Sequence, residues 1–369
     1  MKIGILKEIK DRENRVAMTP DGVKTLAGHG HAVVVETGAG LGSGFADPEY
    51  RQAGAQLVSA AEAWATDLVI KVKELLPGEY QYLTGQLVFT FFHLAGVEPG
   101  LTDALLETGT TAIAYETLED AQGKLPILAP MSAVAGNMAT LMGGYYLARF
   151  NQGRGVQLGT VMGRQYGKVV VIGNGVVGMH AAHVASSMGA ETLMAGLRRK
   201  QASAALEMKL DGVAFFLSNE ENIGAHLQDA DLVVGAVLRR GARAPHVVTE
   251  AMVQQMPEGS VIVDVSIDQG GCVETSRPTS HSDPVFIEHG VLHYCVTNMP
   301  GAYPRTSTMA LCEASLPYAL KLANAGLVCL QDDPGLAKAV NTYQGHLTCL
   351  PVAEALARER EYTPLQELL

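Results

Sequence analysis

A chain of 369 residues, at roughly 100–200 residues per domain, is long enough for two domains that each bury a core, with a cleft between them as the natural place for a small ligand. Hydrophobic residues make up 47% of it, yet every long apolar run is broken by Gly, Pro or a charge before about 18 residues, which argues against a membrane span. The net charge of −11 argues against nucleic acid as a partner, because neutralising phosphates needs a basic surface.

Residues 1–8 carry a charge after only a few apolar positions and no small-residue cleavage site, so they do not read as a signal peptide. The runs 33–36, 68–72, 87–91 and 111–115 are rich in Val, Ile and Phe, and the segments between them are long enough for crossover helices. That pattern predicts an α/β domain with a largely parallel sheet. The glycine-rich stretch 38–44 lacks dinucleotide spacing and reads as a flexible loop. Residues 130–153 read as one long helix linking two domains. A second series of strand-like runs follows at 169–172, 193–195, 232–235, 261–265 and 291–296, which predicts a doubly wound domain. A helix over 309–325 carries the chain back, and the tail from about residue 331 is expected to pack on the first domain.

The run 169–172 leads directly into Gly173-Asn174-Gly175-Val176-Val177-Gly178, after which a helix opens. Gly-x-Gly-x-x-Gly between a strand and a helix has a physical rationale. Gly173 permits the tight turn, Gly175 lets a pyrophosphate approach the backbone, and Gly178 lets the helix pack against the strand. Free N–H groups at the helix start, including those of Val176 and Val177, then hold the phosphates. The next strand should end in an acid that bonds the ribose of NAD, but it ends in Gly196, followed by Leu197, Arg198, Arg199 and Lys200. A carboxylate would repel a ribose 2′-phosphate, whereas glycine leaves room for one and Arg grips it with paired hydrogen bonds. NADP(H) is therefore the expected cofactor, with NAD(H) the alternative. Val237 and Leu238, beyond a later strand, are counted with the cofactor-binding residues. The plainer reading of Arg198, Arg199 and Lys200 is a solvated helix start; Arg239, Arg240 and Arg243, beyond the later strand, are candidates to reinforce the phosphate site.

The five cysteines, Cys272, Cys295, Cys312, Cys329 and Cys349, are odd in number and far apart, which reads as reduced thiols of a cytoplasmic protein. His180 and His183 lie three apart on a helix with no third ligand at metal spacing, so no metal is expected.

Several segments taken in order resemble the alanine dehydrogenase family, which is related to the nicotinamide-binding subunit of proton-translocating transhydrogenase. The likeness runs from the first residue to about residue 325. Lys7-Glu8-Ile9-Lys10 and Glu13-Asn14-Arg15-Val16-Ala17 look like its opening segment, and Lys71-Val72-Lys73-Glu74 and Phe89-Thr90-Phe91-Phe92-His93-Leu94-Ala95 like its substrate loops. Pro130-Met131-Ser132, Ile267-Asp268-Gln269-Gly270-Gly271-Cys272 and Thr297-Asn298-Met299-Pro300 look like its cofactor and catalytic segments. Two positions depart from the family on the cofactor side: Ala133 stands where Glu is usual, and Met162 where Pro is usual.

The resemblance implies an α/β fold of two Rossmann-like doubly wound domains. These are a discontinuous substrate domain, residues 1–129 plus 307–369, and an inserted dinucleotide-binding domain, residues 130–306. It implies oxidation of L-alanine to pyruvate and ammonia, in a homohexamer. An amino acid has one carboxylate to anchor. Arg15 offers a fork and Lys73 a point charge; by themselves both read as surface ion pairs, and the resemblance makes them substrate ligands. His93 matches the family's catalytic histidine, and Asp268 its aspartate for proton handling and water activation. Asn298 is expected to bond substrate or the nicotinamide ribose, and Ser132 and Met299 to border the nicotinamide. Asp264, inside a strand run, reads as structural. Two rivals remain: an imine reductase or opine-type dehydrogenase acting on another 2-oxo acid and amine, and a transhydrogenase-like subunit that binds dinucleotide without turning over an amino acid.

Overall fold

The structure, a computed structural model, describes residues 1–197, 210–239 and 243–369. It divides into two compact units, residues 1–131 with 301–369, and residues 132–300. Arg198, Arg199, Lys200 and Arg240 lie outside the described residues.

The first unit is built on an eight-stranded sheet. Six parallel strands run across it in the order Thr111–Ala114, Leu87–Thr90, Leu68–Ile70, Lys2–Ile5, Ala32–Glu36, Gln56–Val58. Val340–Tyr343 adds antiparallel to Thr111–Ala114, and His346–Leu347 antiparallel to Val340–Tyr343. Leu68–Ile70 and Thr111–Ala114 are buried along their whole length, as parallel strands covered on both faces must be, so they read as unbroken apolar runs. Lys2–Ile5, Gln56–Val58 and the C-terminal strands were not anticipated, because runs of two to four residues carry no measurable period.

The 38–44 stretch, expected as a flexible loop, is an anchored turn. A 3-10 helix at Leu41–Ser43 leads to Gly44 at φ 75°, and Arg305 Nη1 donates to the carbonyls of Ser43 and Gly44 at 3.1 and 2.9 Å. A Cβ on Gly42 would lie 2.6 Å from the Asn14 side chain, so glycine here serves close packing against the Asn14–Arg15 segment.

The second unit carries a seven-stranded sheet in the order Val213–Leu217, Glu191–Gly196, Lys168–Ile172, Leu232–Gly235, Val261–Asp264, Val291–Tyr294, Val285–Glu288. All neighbours are parallel except the last pair. The chain leaves Lys168–Ile172 toward one edge of the sheet and then returns to its other side. That makes the end of this strand the topological switch point, where open α/β sheets bind ligands. Val213–Leu217, only half-buried, was not anticipated.

Two local differences have physical causes. The long helix spans Leu128–Tyr146 and gives way to a 3-10 turn at Arg149–Asn151, short of the expected residue 153. The chain folds back tightly there: a Cβ on Gly153 would sit 2.2 Å from the Tyr146 carbonyl oxygen. Met162 and Gly163 join the hairpin strands Gly159–Val161 and Arg164–Tyr166 with φ 50° and 80°. Positive φ at both central positions is the signature of a type I′ turn, which proline, locked near −65°, cannot adopt.

Among the described residues no helix is long and apolar enough to cross a membrane, and no group of three or more His, Cys, Asp or Glu is placed to hold a metal. All five cysteines are buried and unpaired with one another.

Candidate functional site

In the second unit, the turn after Lys168–Ile172 shows why its residues are glycine. Gly173 adopts φ 116°, and a Cβ there would lie 2.3 Å from the Ala236 carbonyl oxygen. A Cβ on Gly178 would lie 1.9 Å from the Gly173 carbonyl oxygen, so only glycine lets the helix Val176–Met188 start against the strand. Gly175 differs: it is exposed, and a Cβ there would meet nothing within 4 Å. Glycine at that position is not needed by the fold and leaves the backbone open to an incoming group. Gly175 is also the cap of the helix and supplies no side chain to its first-turn N–H groups. A 13-residue helix whose first turn has no side-chain cap, beside an open glycine at the switch point, fits a dinucleotide pyrophosphate. Val176 and Val177 are half-buried at this turn.

Gly196 ends the neighbouring strand, and a Cβ there would meet the Asn174 side-chain nitrogen at 2.5 Å. The Asn174 amide therefore takes the space beside the strand end that the glycine was expected to leave for a 2′-phosphate. Val237 donates its N–H to Ser266 Oγ at 2.9 Å, and Leu238 and Arg239 are exposed beyond it.

Asp268 is exposed in a 3-10 helix, Val265–Gln269, that begins at the end of Val261–Asp264. Its Oδ1 accepts the Asn298 N–H at 3.2 Å, so the structure brings these two expected site residues together. Asn298 is buried with φ 61°, and His281 Nε2 donates to its carbonyl oxygen at 3.1 Å. Asp264 is fully buried. It accepts N–H groups from Ser266, Cys272 and Val273 at 3.0, 2.8 and 3.1 Å, tying the 3-10 turn to the following segment. Ser132 is half-buried, and Met299 is packed in the unit's apolar core.

In the first unit, four adjacent parallel strands end side by side and each places an ionisable residue just beyond its carboxyl end. Glu8 follows Lys2–Ile5, Lys73 follows Leu68–Ile70, His93 follows Leu87–Thr90, and Glu116 follows Thr111–Ala114. The carboxylates grip the backbone of the neighbouring strand ends. Glu8 Oε1 accepts the N–H groups of Val72 and Lys73 at 2.7 and 3.3 Å, and Glu116 those of Phe92 and His93 at 3.2 and 2.6 Å.

Arg15 is 2% exposed, and its Nε and Nη2 form a fork onto both oxygens of Glu13 at 2.7 and 2.6 Å, with Nη1 3.3 Å from Met131 Sδ. The backbone on either side of Arg15 is also held. Ser43 Oγ donates to the Asn14 carbonyl at 2.9 Å, and Thr308 Oγ1 accepts the Val16 N–H at 3.1 Å. Lys73 is buried and pairs with Glu74 Oε2 at 3.5 Å, while Glu74 also pairs with Lys10. Against desolvation, which pushes it up, the charges of Lys73 and Lys10 hold the Glu74 carboxyl down at about 2. Lys71, fully buried, pairs with Glu79 at 2.7 Å and Glu8 at 3.3 Å; these two carboxylates outweigh desolvation and raise its pKa.

His93 has φ 50°, and its ring stacks on Phe91 with centroids 5.5 Å apart. Desolvation, and after it the positive charge of Lys73, push its pKa down to about 3; Lys10 and Arg15 act in the same direction and Glu74 against them. The imidazole is thus neutral at neutral pH, inside a cluster that also holds both expected carboxylate anchors. Glu116 was missed by sequence reasoning, although its signal was present: an acid two residues past the strand beside that of His93, on the edge where α/β sheets bind ligands.

The family model described as "Alanine dehydrogenase/PNT, N-terminal domain" matches residues 4–135, and the one described as "Alanine dehydrogenase/PNT, C-terminal domain" matches residues 139–350. The chain is 48% identical over 373 residues to "Alanine dehydrogenase 2" of Staphylococcus aureus (strain USA300), covering 100% of both. It is 48% identical over 374 residues to "Alanine dehydrogenase" of Staphylococcus epidermidis, again covering 100% of both. Among solved structures it is similar to an "L-alanine dehydrogenase", with TM-score 0.91 and 47% identity over 97% of this chain and 99% of that one. It is also similar to a transhydrogenase from Sinorhizobium meliloti, with TM-score 0.79 and 26% identity over 95% of this chain and 99% of that one. With both family models matching in order and relatives aligned along the whole length, the chain belongs to the alanine dehydrogenase/PNT family.

Proposed function

We propose that the protein is an amino-acid dehydrogenase that interconverts L-alanine and water with pyruvate and ammonia, transferring a hydride to a nicotinamide dinucleotide. The observation that carries this reading is the cluster of Arg15, Lys73 and His93 beside the ends of four parallel strands, in a chain 48% identical along its length to curated alanine dehydrogenases.

Arg15 and Lys73 hold the carboxylate of the amino acid. Desolvation and, after it, the nearby cations depress His93; the arriving negative charge offsets the cations, so its pKa rises from about 3 on binding. His93 then takes the proton released as the amine becomes an imine, and returns one as ammonia leaves. Asp268 orients the water that adds to the imine carbon, with its own carboxylate held by the Asn298 N–H. The first-turn N–H groups of Val176–Met188 hold the pyrophosphate, Ser132 and Met299 border the nicotinamide, and Val237 and Leu238 flank the dinucleotide. When bound, the dinucleotide supplies the hydride acceptor, and no metal is required.

The preferred dinucleotide in this proposal is NADP(H), with NAD(H) the alternative, because the strand Glu191–Gly196 ends without a carboxylate and Arg198, Arg199 and Lys200 follow it in sequence. The proposal includes a homohexamer, supported by apolar side chains that partner copies would cover, among them Phe150 at 78% and Met162 at 100% exposure. Five buried free thiols support a cytoplasmic location. An imine reductase or opine-type dehydrogenase is not favoured, since the full-length relatives are named alanine dehydrogenases. A non-catalytic transhydrogenase-like subunit is not favoured either, the transhydrogenase likeness being 26% against 48%.

Initial rates of L-alanine oxidation with NAD⁺ and NADP⁺ at matched concentrations test both levels. Turnover is expected with a higher kcat/KM for NADP⁺. A higher value for NAD⁺ overturns the cofactor preference alone, and no turnover with either overturns the reaction.

A further inference from the structure

His93 occupies a backbone conformation that a non-glycine residue rarely adopts, and something must hold it there. Its φ of 50° lies in the left-handed region, which costs about 1 kcal/mol or more for an ordinary side chain. Three residues earlier the chain is regular strand, paired at Thr90 with Ala114. The departure from the sheet is captured by one side chain. Glu116 directs one carboxyl oxygen at the His93 N–H, 2.6 Å away, and the other at the Phe92 N–H, 3.2 Å away. Two successive amides donating to the two oxygens of one carboxylate fix the peptide plane between Phe92 and His93, and so the direction in which the imidazole leaves the backbone. A closing turn, Gly96 N–H to the His93 carbonyl at 2.7 Å, completes the hold from the other side.

We infer that Glu116 is a positioning residue for the reaction: its carboxylate holds His93 in the left-handed conformation that aims the imidazole, and loses that hold when it takes up a proton. This rests on the reading that His93 exchanges the reaction's proton. Glu116 makes no contact with substrate in this scheme and acts only through His93.

The protonation half follows from donor counting. An ionised carboxylate offers a charged acceptor to each amide, whereas a protonated one keeps one neutral carbonyl acceptor and a hydroxyl oxygen that accepts weakly, so its grip on the pair of N–H donors loosens. Desolvation raises the Glu116 carboxyl to about 7, against its backbone hydrogen bonds and the nearby Lys73 charge. The charge of Lys73 acts on it, it acts in turn on the buried Cys349 thiol, and it is bonded to His93 through the backbone N–H. Cys349 is itself pushed up to about 11, and His93 down to about 3, so neither changes charge near neutrality. Of Glu116, His93 and Cys349 in the free enzyme, Glu116 is thus the one whose charge changes near neutrality.

The test is Glu116→Gln in the full-length protein, which fixes a neutral side chain with one acceptor and one NH₂ donor. In L-alanine oxidation the wild type is expected to show an acidic limb near pH 7 in kcat/KM, which reports the free enzyme, where His93 stays neutral. The variant should lack that limb and run at every pH near the rate of the wild type at low pH, about tenfold to a hundredfold below its plateau. The KM for L-alanine and the Kd for reduced dinucleotide should change less than about threefold, because Arg15, Lys73 and the glycine turn are untouched. A variant that keeps the wild-type kcat and limb, or one that loses alanine and dinucleotide binding along with kcat while keeping the limb, overturns the inference.

A second measurement needs neither the variant nor turnover. In the wild-type protein, isotope-labelled at Phe and His, the Phe92 and His93 amide resonances should both move upfield as the pH falls through about 7, when the carboxylate acceptor is lost. Resonances that do not titrate together overturn the inference even if the variant does not fold. Failure of the wild type to oxidise L-alanine, with the amides still titrating, counts against the proposed reaction and leaves the positioning role standing.

Discussion

Replacing Arg15 with Lys keeps the charge and removes the geometry, which separates the two parts of the proposed anchor. In the protein two of the guanidinium's nitrogens are committed to the two Glu13 oxygens at 2.7 and 2.6 Å, and both partners are essentially fully buried. A planar fork can hold Glu13 on one side and still present a defined edge to a carboxylate. An ammonium is a single point with three donors and cannot cover both Glu13 oxygens while facing a second carboxylate. Each lost hydrogen bond to a charged group is worth about 1.5–3 kcal/mol. For the substrate that predicts a rise in the KM for L-alanine, and equally for pyruvate, of roughly tenfold to a hundredfold, with kcat changed much less because His93 and its support are intact. For the fold it predicts a loss of about 1.5–3 kcal/mol in urea denaturation, from the second Glu13 bond. The assays are steady-state kinetics in both directions and an equilibrium unfolding curve for each protein. A variant with KM values within about twofold of wild type would refute the role of the fork in substrate binding, and unchanged stability would refute the account of the Glu13 pair.

Four further outcomes are expected. Gly175→Ala should leave stability within about 0.5 kcal/mol but weaken reduced-dinucleotide binding about tenfold or more, because its Cβ meets no protein atom within 4 Å and stands where the phosphate approaches; Gly178→Ala, 1.9 Å from a carbonyl, should lose both. Fluorescence titration and thermal unfolding separate the two effects, and equal behaviour of the two variants would count against the assignment of the turn. Lys71→Met should destabilise the protein by about 3–5 kcal/mol in urea denaturation by leaving Glu8 and Glu79 buried without their cation, and a loss under about 1 kcal/mol would contradict that. His93, with a folded pKa of about 3 against 6.5 in the unfolded chain, should contribute stability that is fully present above pH 6.5 and lost as pH falls toward 3. Lys73→Met should raise the His93 pKa by imidazole NMR, and no change would remove the electrostatic basis for activation by a bound carboxylate.

Much of this was legible in the residues themselves. The glycine turn declared itself because the three constraints on Gly173, Gly175 and Gly178 are local in sequence, and a strand and a helix flank them at fixed spacing. The buried central strands declared themselves through unbroken Val, Ile and Leu. The lone cations Arg15 and Lys73 carried no such local signal, and only the resemblance to a family raised them above surface ion pairs. What stayed hidden was long-range. Glu8 and Glu116 act on backbone amides more than twenty residues away, and their role follows from which strands are neighbours in the sheet. The Ser43 and Thr308 hydroxyls that hold the chain around Arg15 are 265 residues apart, and no sequence period connects them. The short strands and the early stop of the helix Leu128–Tyr146 were missed because tertiary pairing, and not propensity, defines them.

The central claim is that hydride passes directly from the α-carbon of an amino acid to a nicotinamide ring. It is tested most directly with L-alanine deuterated at C2, incubated with the protein and NADP⁺ or NAD⁺, followed by mass analysis of the products. Direct transfer yields reduced dinucleotide carrying one deuterium at C4 of the ring, in step with pyruvate and ammonia. Reduced dinucleotide without deuterium, or bound dinucleotide with no alanine consumed, would contradict it.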